Sequence, residues 1–444
     1  MYKENKTEIL NLEELKNKKN KTKKYNIEKL CYRIIPLIFI PLFFVLTIIS
    51  THSKRLINEP LSIIIYILFS LCLYLFILGL IFIKKDKKNK KKRKRKIIFN
   101  TFIIIYVIGC SLFLFLLYGP INNFRDWFIS TSMSTMSHKY LCKWFYSDEE
   151  ISKVINSNYI VEVNEETDTS LIEIEQEITY ENEYEKQILV HDKDEVYKII
   201  ELTVNEQKAY LAVIYDPSLV KVGTSARIGR YGNYATKIAE QHNAILATNG
   251  GGFGNSFDNR TGGVPTGVTI KNGKIISDSV YGTSVQSGGL IGMTYDNKLV
   301  MIKNATGKKA LEQGVRDGVS WGPFLIVNGK KSFIKGNGGW GNAARTAIGQ
   351  RQDGIILLLT VDSNGTRTKG ANMIDLTEIM ERYGAINAAN LDGGTSTVMV
   401  LPKAEALKYI DTCNTPYCYI NDPIDSTLSH KTRGIPTIIY VEKR

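Results

Sequence analysis

Residues 384–400 read GAINAANLDGGTSTVMV. The first part, 385–391, is an apolar stretch of strand character. It runs into a tight polar turn, Asp392-Gly393-Gly394, and a second β-branched run follows over 395–400. Two adjacent glycines give the backbone access to positive φ and let it come close to a ligand. The turn offers one carboxylate (Asp392), two hydroxyls (Thr395 and Ser396) and several backbone N–H groups, a set that can hold a sugar or a phosphate. As a bare pattern the stretch also fits an Asp-Gly β-hairpin. The weight falls on the ligand reading because the C-terminal half repeats the device, a Gly-rich turn beside a polar residue.

That half begins near residue 196, where short β-branched runs alternate with Gly, Asn and Asp turns. Paired strands are expected over 197–203 and 209–215. A helix is expected over 234–242, then a buried strand over 244–248 ending in Asn249-Gly250-Gly251-Gly252. An Asn272-Gly273 hairpin and a similar one at Asn328-Gly329 come next. The apolar run 355–361 reads as a central strand, 373–383 as a one-sided helix stopped by Gly384, and 437–441 as a terminal strand. Many strands with few helices predict an α+β fold of mixed or antiparallel sheets. Polar residues recur just past the apolar runs: Asn249, Arg345, Asp362, Asp392 and Arg433. Groups placed beyond buried strands can meet on one rim of a sheet, where ligands are held.

The remaining sequence has a different character. The formal net charge of +13 belongs to residues 1–144, whereas from 145 onward acids outnumber bases. Three apolar runs, 34–50, 61–83 and 97–118, have or approach the ~20 residues that cross a bilayer. The basic segments 1–33 and 84–96 predict a cytoplasmic position for both. The resulting expectation is a cytoplasmic tail at 1–33, three membrane spans within 34–118, a juxtamembrane helix and acidic linker at 119–195, and an extracytoplasmic domain at 196–444. The localisation is then multi-pass in the cell membrane. The charge run is read as an anchor touching anionic lipid, and nucleic acid is excluded as a partner. Cys413 and Cys418 form a C-x4-C pair suited to a disulfide in an oxidising compartment.

The blocks NGGGF (249–253), GVTIKNGKII (267–276), GPFLIVNG (322–329), RTAIGQRQDGIILLLTVD (345–362) and NAANLDGGTSTVM (387–399) resemble the phosphodiester glycosidase family. That family includes the mannose-6-phosphate uncovering enzyme, and its bacterial members are often labelled exopolysaccharide-biosynthesis proteins. The resemblance covers roughly residues 196–444. It departs at Asp362-Ser363, where the family has Asp-Gly, at His430-Lys431-Thr432-Arg433, where the family's Glu is missing, and at an insertion over 404–429.

The resemblance implies hydrolysis of a sugar-1-phosphodiester, as by an N-acetylglucosamine-1-phosphodiester α-N-acetylglucosaminidase, on a cell-surface glycan or sugar-phosphate polymer. Asp362, Asp392 and Arg345 are then the catalytic candidates. Asn249, Gly251, Gly393, Gly394, Thr395, Ser396 and Arg433 are the substrate-binding ones. An arginine fork suits phosphate, and a carboxylate suits developing positive charge at the anomeric carbon. No cofactor is expected. The five histidines show no metal-binding spacing, and oxygen-ligated Ca²⁺ stays open. Both Asp392→Asn and Arg345→Ala are expected to abolish turnover with the fold intact. Two other readings share the site: a glycopolymer-binding module without catalysis, and a metal-dependent phosphodiesterase that cuts the P–O bond.

Overall fold

The computed structural model describes residues 16–20, 101, 116, 122–133, 139–174, 179–180, 182–254, 262–279, 288–365, 369–424 and 430–444. The chain divides into two units, 1–154 and 155–444. In the first, helices α1 (Asn122–Met133) and α2 (Lys139–Phe145) meet through aromatic rings, with Phe128 5.9 Å from Phe145. Helix α3 (Asp148–Ser157) opens with Asp148, Glu149 and Glu150, negative charges that suit a helix N-terminus.

The membrane expectation needs correction. Spanning ~30 Å of hydrocarbon takes a helix of ~20 apolar residues. Helix α1 has 12 residues, and among the described residues no helix is long and apolar enough to cross a membrane. The three-helix membrane region over 34–118 and the multi-pass localisation drawn from it are therefore not upheld. Nearly all of 34–118 lies outside the described residues.

The second unit holds β1 (Tyr159–Val161), α4 (Glu183–Leu189), β2 (Tyr197–Val204), β3 (Gln207–Ile214), β4 (Val220–Thr224), α5 (Ala235–Gln241), β5 (Leu246–Asn249), β6 (Phe253–Gly254) and β7 (Val264–Pro265). It continues with β8 (Gly267–Lys271), β9 (Lys274–Ser279), β10 (Gly289–Thr294), β11 (Leu299–Ile302), α6 (Gly307–Glu312), β12 (Val315–Trp321), β13 (Phe324–Val327), β14 (Lys330–Lys331) and β15 (Phe333–Lys335). Last come β16 (Arg345–Arg351), β17 (Ile356–Val361), α7 (Met373–Arg382), β18 (Ala385–Asn390), β19 (Met399–Pro402), α8 (Lys403–Ala406), β20 (Tyr417–Tyr419) and β21 (Thr437–Val441).

Three larger sheets result. One has seven strands in the order β14-β13-β18-β16-β17-β3-β2. Two have five: β11-β10-β12-β8-β9 and β20-β19-β5-β21-β4. Every ladder among the described residues is antiparallel. The α+β expectation with antiparallel sheets holds.

The two-residue period of a strand explains the layering. In β3, Tyr210, Ala212 and Ile214 face a core shared with the five-stranded sheets, while Ala209, Leu211 and Val213 face a second core under α7. In β17, Ile356 and Leu358 face the first core, and Leu357, Leu359 and Val361 the second. A strand buried on both faces reads as an unbroken apolar run, which is why 355–361 was legible as central. Helix α7 is fixed at its start by a capping box, in which the Asn372 side chain accepts from Asp375 N while the Asp375 carboxylate accepts from Asn372 N. It buries Met373, Leu376, Ile379 and Met380 on the seven-stranded sheet.

The hairpin reading of 384–400 fails. Strand β18 pairs with β13 and β16 in the seven-stranded sheet, whereas β19 pairs with β5 and β20 in another. The LDGG turn therefore carries the chain from one sheet to the next. A short 3-10 turn, Gly394–Ser396, stands where the second strand was expected to begin.

Part of the acidic segment read as a linker is docked on the second unit. Strand β1 pairs with β15, Ile172 and Ile188 are fully buried, and Glu162 accepts from Phe324 N at 2.7 Å. Burial pushes the Glu162 carboxyl above its ordinary pKa.

Candidate active site

The ends of several strands meet at the LDGG turn. Arg345 opens β16 and pairs with Val361 at the end of β17, while Ala347 pairs with Asn390 at the end of β18. Three strand termini thus share one edge of the seven-stranded sheet. From the second sheet, Asn249 ends β5 opposite Ile438 of β21. Backbone hydrogen bonds join the sheets here: Asp392 N donates to Gly250 O (3.2 Å), Leu391 N to Thr346 O (2.8 Å) and Gly394 N to Ala344 O (2.7 Å). Gly394 sits at φ +63°, in the left-handed region. A Cβ on Gly393 would meet Ala344 O at 2.8 Å. These two glycines serve the turn's own geometry.

Asp392 is the centre of the site. The residue is 7% exposed. Its Oδ2 is buried without a hydrogen-bond partner among the described residues, and Arg433 Nη2 lies 3.5 Å from it, an ion pair that lacks a hydrogen bond. Burial pushes the carboxyl above the usual Asp range. Arg433, Ser396, the Gly393 N–H and Arg345 pull the other way and do not cancel it. Arg433 donates Nε to Ser396 Oγ at 2.9 Å and lies 4.4 Å over the Phe253 ring.

Arg345 is 5% exposed. Its Nε donates to Ala371 O (3.2 Å), and its Nη2 to Trp340 O (2.7 Å) and Gly341 O (2.8 Å). A Cβ on Gly393 would stand 3.5 Å from Arg345 Nη1. The guanidinium is therefore a fixed positive charge beside the LDGG turn, held by three carbonyls.

Asn249 is brought to the site, but its side chain is spent on the protein. Nδ2 donates to Asp392 O at 2.7 Å. Oδ1 accepts from Thr346 Oγ1 at 2.6 Å and from Val398 N at 3.2 Å. It ties the turn carrying Asp392 to both sheets. We expect Asn249→Ala to lower stability by about 2–3 kcal/mol, since each stranded buried partner costs ~1–3 kcal/mol. It should also cut turnover by loosening Asp392. Denaturant unfolding and kinetics on the same variant check both effects.

The other expected residues divide. Ser396 is fully buried and bridges Arg433 to Asp392. Thr395 is half-buried, and its carbonyl accepts from Thr432 Oγ1. A Cβ on Gly251 would come 2.7 Å from Ser320 O, so its glycine serves packing against the end of β12.

Asp362 lies at the same sheet end but is held from another direction. Its Oδ1 accepts from Asn421 Nδ2 (2.8 Å) and its Oδ2 from Asp422 N (3.1 Å). Burial raises its carboxyl pKa, with Asp422 adding to the rise. Asn421 also donates to Thr397 O and accepts from Met399 N, so the insertion over 404–429 braces both Asp362 and the exit of the LDGG turn. The insertion contains the disulfide Cys413–Cys418.

Several residues at the site escaped the sequence reading. Trp340 lies 5.7 Å from the Arg345 guanidinium and 6.1 Å edge-on from Trp321. Trp340 had a signal, since it is the lone aromatic in the glycine-rich GNGGWGN (336–342). Asn421 had none, because nothing in its neighbourhood points to a carboxylate 59 residues away. Among the described residues no group of three His, Cys, Asp or Glu side chains is placed to hold a metal ion.

In this multi-sheet α+β unit a buried carboxylate, Asp392, lies at converging strand ends with Arg433 3.5 Å away and Arg345 beside the same turn. Residues 242–442 match the family model described as phosphodiester glycosidase. The chain is 25% identical over 189 residues to the SPbeta prophage-derived uncharacterized protein YomE of Bacillus subtilis, which covers 41% of this chain and 27% of that protein. It is 38% identical over 71 residues to bovine N-acetylglucosamine-1-phosphodiester alpha-N-acetylglucosaminidase, covering 16% of this chain and 13% of that one. The chain thus spans little more than a quarter of these relatives at most. Among solved structures, the catalytic domain of the zebrafish N-acetylglucosamine-1-phosphodiester alpha-N-acetylglucosaminidase aligns with a TM-score of 0.42 and 21% identity, over 57% of this chain and 86% of that one.

Proposed function

We propose that this chain hydrolyses a sugar-1-phosphodiester on a phosphate-bearing glycan, cutting the bond between the anomeric carbon and oxygen. The observation that carries the reading is the buried Asp392 Oδ2, without a hydrogen bond and facing Arg433. A buried carboxylate oxygen left unsatisfied calls for an explanation, and a catalytic role is one. In the reaction a water oxygen bonds to C1. The C1–O electron pair leaves with the phosphate oxygen, yielding a phosphomonoester and a reducing sugar. Asp392 accepts the proton that water gives up. Arg433, partly exposed, faces the phosphate, while Arg345, pinned by three carbonyls, supports the charge from beneath. Phosphate is already a good leaving group, so a strong general acid is not required.

The likeness to enzymes named for N-acetylglucosamine-1-phosphodiesters supports an N-acetylhexosamine as the sugar. Product identity tests the reading. Incubation with a synthetic N-acetylglucosamine-1-phosphodiester should release free reducing sugar and a phosphomonoester. Release of sugar-1-phosphate instead would mean P–O cleavage and would overturn it.

A further inference from the structure

We propose that loop 225–233 (SARIGRYGN) forms a second anion subsite, in which Arg227 and Arg230 bind a further phosphate of the substrate beside Arg433. The inference deepens the function proposed above, making the substrate a chain with successive phosphates rather than a single phosphodiester.

The loop is fixed by its backbone. Ser225 N donates to Pro436 O (2.8 Å), Gly229 N to Gly263 O (2.7 Å), and Asn233 exchanges both hydrogen bonds with Ile435 (2.9 and 2.8 Å). At Gly232 a Cβ would stand 2.6 Å from Gly262 O and from the Gly434 carbonyl carbon. The loop is therefore wedged between two segments. One, at 262–263, leads into β7, the partner of β6, which carries Phe253. The other, at 434–436, follows directly on Arg433. One segment thus leads to the strand paired with Phe253 and the other follows Arg433, and Arg433 itself lies 4.4 Å over the Phe253 ring, so the loop's backbone neighbours connect to the site.

Charge gives the loop its meaning. Arg227 and Arg230 are exposed, and neither forms an ion pair with a described residue. The Arg227 guanidinium lies 5.9 Å over the Tyr231 ring. Acids outnumber bases in residues 155–444, yet this loop presents two exposed arginines without an ion pair among the described residues, and its Gly232 packs against Gly434, the residue after Arg433. One phosphodiester brings a single negative charge, which Arg433 answers. Two more planar donor forks call for further phosphate oxygens. A neutral glycan would leave them without a partner.

The test uses the full chain and inorganic tripolyphosphate as the probe, followed by calorimetry. Arg227→Ala/Arg230→Ala should bind it about tenfold more weakly than wild type, on the scale of two lost charge contacts. Arg227→Gln/Arg230→Gln repeats the comparison should the alanine variant fold poorly, and added salt should narrow the gap. Equal affinity in wild type and variant, or no binding by wild type, overturns the proposal. A second arm compares KM for substrates with two successive 1-phosphodiester links and with one. The ratio of these KM values should shift about tenfold in the variant, and an unchanged ratio overturns the subsite. If wild type hydrolyses neither substrate, the hydrolytic function falls, while the binding comparison still decides the subsite.

Discussion

Asp392→Asn will lower hydrolysis of a sugar-1-phosphodiester by about 10³-fold or more, the scale of losing a positioned acid–base group, and the protein will stay folded. The amide keeps the shape of the side chain, so the 2.7 Å bond from Asn249 to the Asp392 carbonyl and the pairing of Leu391 with Thr346 persist. The variant also carries a stability signature. Burial raises the carboxyl pKa of Asp392 in the folded protein. Its contribution to stability is therefore complete below the unfolded value of about 4 and is lost as pH rises through the folded one. The asparagine variant should melt above wild type near pH 7.5, with the gap closing toward pH 4. A residue that lowers stability while serving function is expected of an active site. Near wild-type turnover in the folded variant would remove Asp392 from the chemistry, and a melting temperature below wild type at neutral pH would remove the desolvation argument.

Arg345→Ala will do damage of a second kind. The sequence suggested loss of activity with the fold intact; the structure does not support the second half. Arg345 satisfies the carbonyls of Trp340, Gly341 and Ala371, and these link the 336–342 turn and the start of α7 to β16. Hydrogen bonds to charged groups contribute ~1.5–3 kcal/mol each, and stranded buried acceptors add to the loss. We expect a cost of about 3–5 kcal/mol and a fall in melting temperature of about 10 °C, together with loss of turnover. Arg345→Lys separates the two effects. It restores the charge beside Gly393 but cannot reach three carbonyls, so it should recover stability in part while activity stays low. If Arg345→Ala melts like wild type, the three-carbonyl clamp is not structural.

The strand-end candidates were legible because buried strands announce themselves as apolar runs and their polar neighbours stand just outside. Arg345, Asp392 and Arg433 were found this way, and the structure brings them together. Their tasks were less legible. Asn249 and Ser396 offered the right chemistry for sugar hydroxyls, but those atoms are consumed in holding Asp392 and Arg433. Asp362 was a second catalytic candidate, and the structure shows each of its oxygens accepting one hydrogen bond, from Asn421 Nδ2 and from Asp422 N. An insertion of unremarkable composition supplies that contact.

What the sequence determined by itself was the local grammar: the period-two strands of the α+β unit, the Asn-Gly turns, the capped helix α7 and the set of polar residues at strand ends. Each of these depends on neighbours a few positions away, through backbone preference and side-chain period. What only the tertiary structure decided was that the LDGG turn crosses between two sheets, that the acidic segment partly docks, and that one buried Asp392 oxygen has no hydrogen bond among the described residues while Arg433 lies 3.5 Å from it. Those outcomes depend on which strands pair and which donors reach which acceptors across tens to hundreds of residues, a competition that is settled when the cores close.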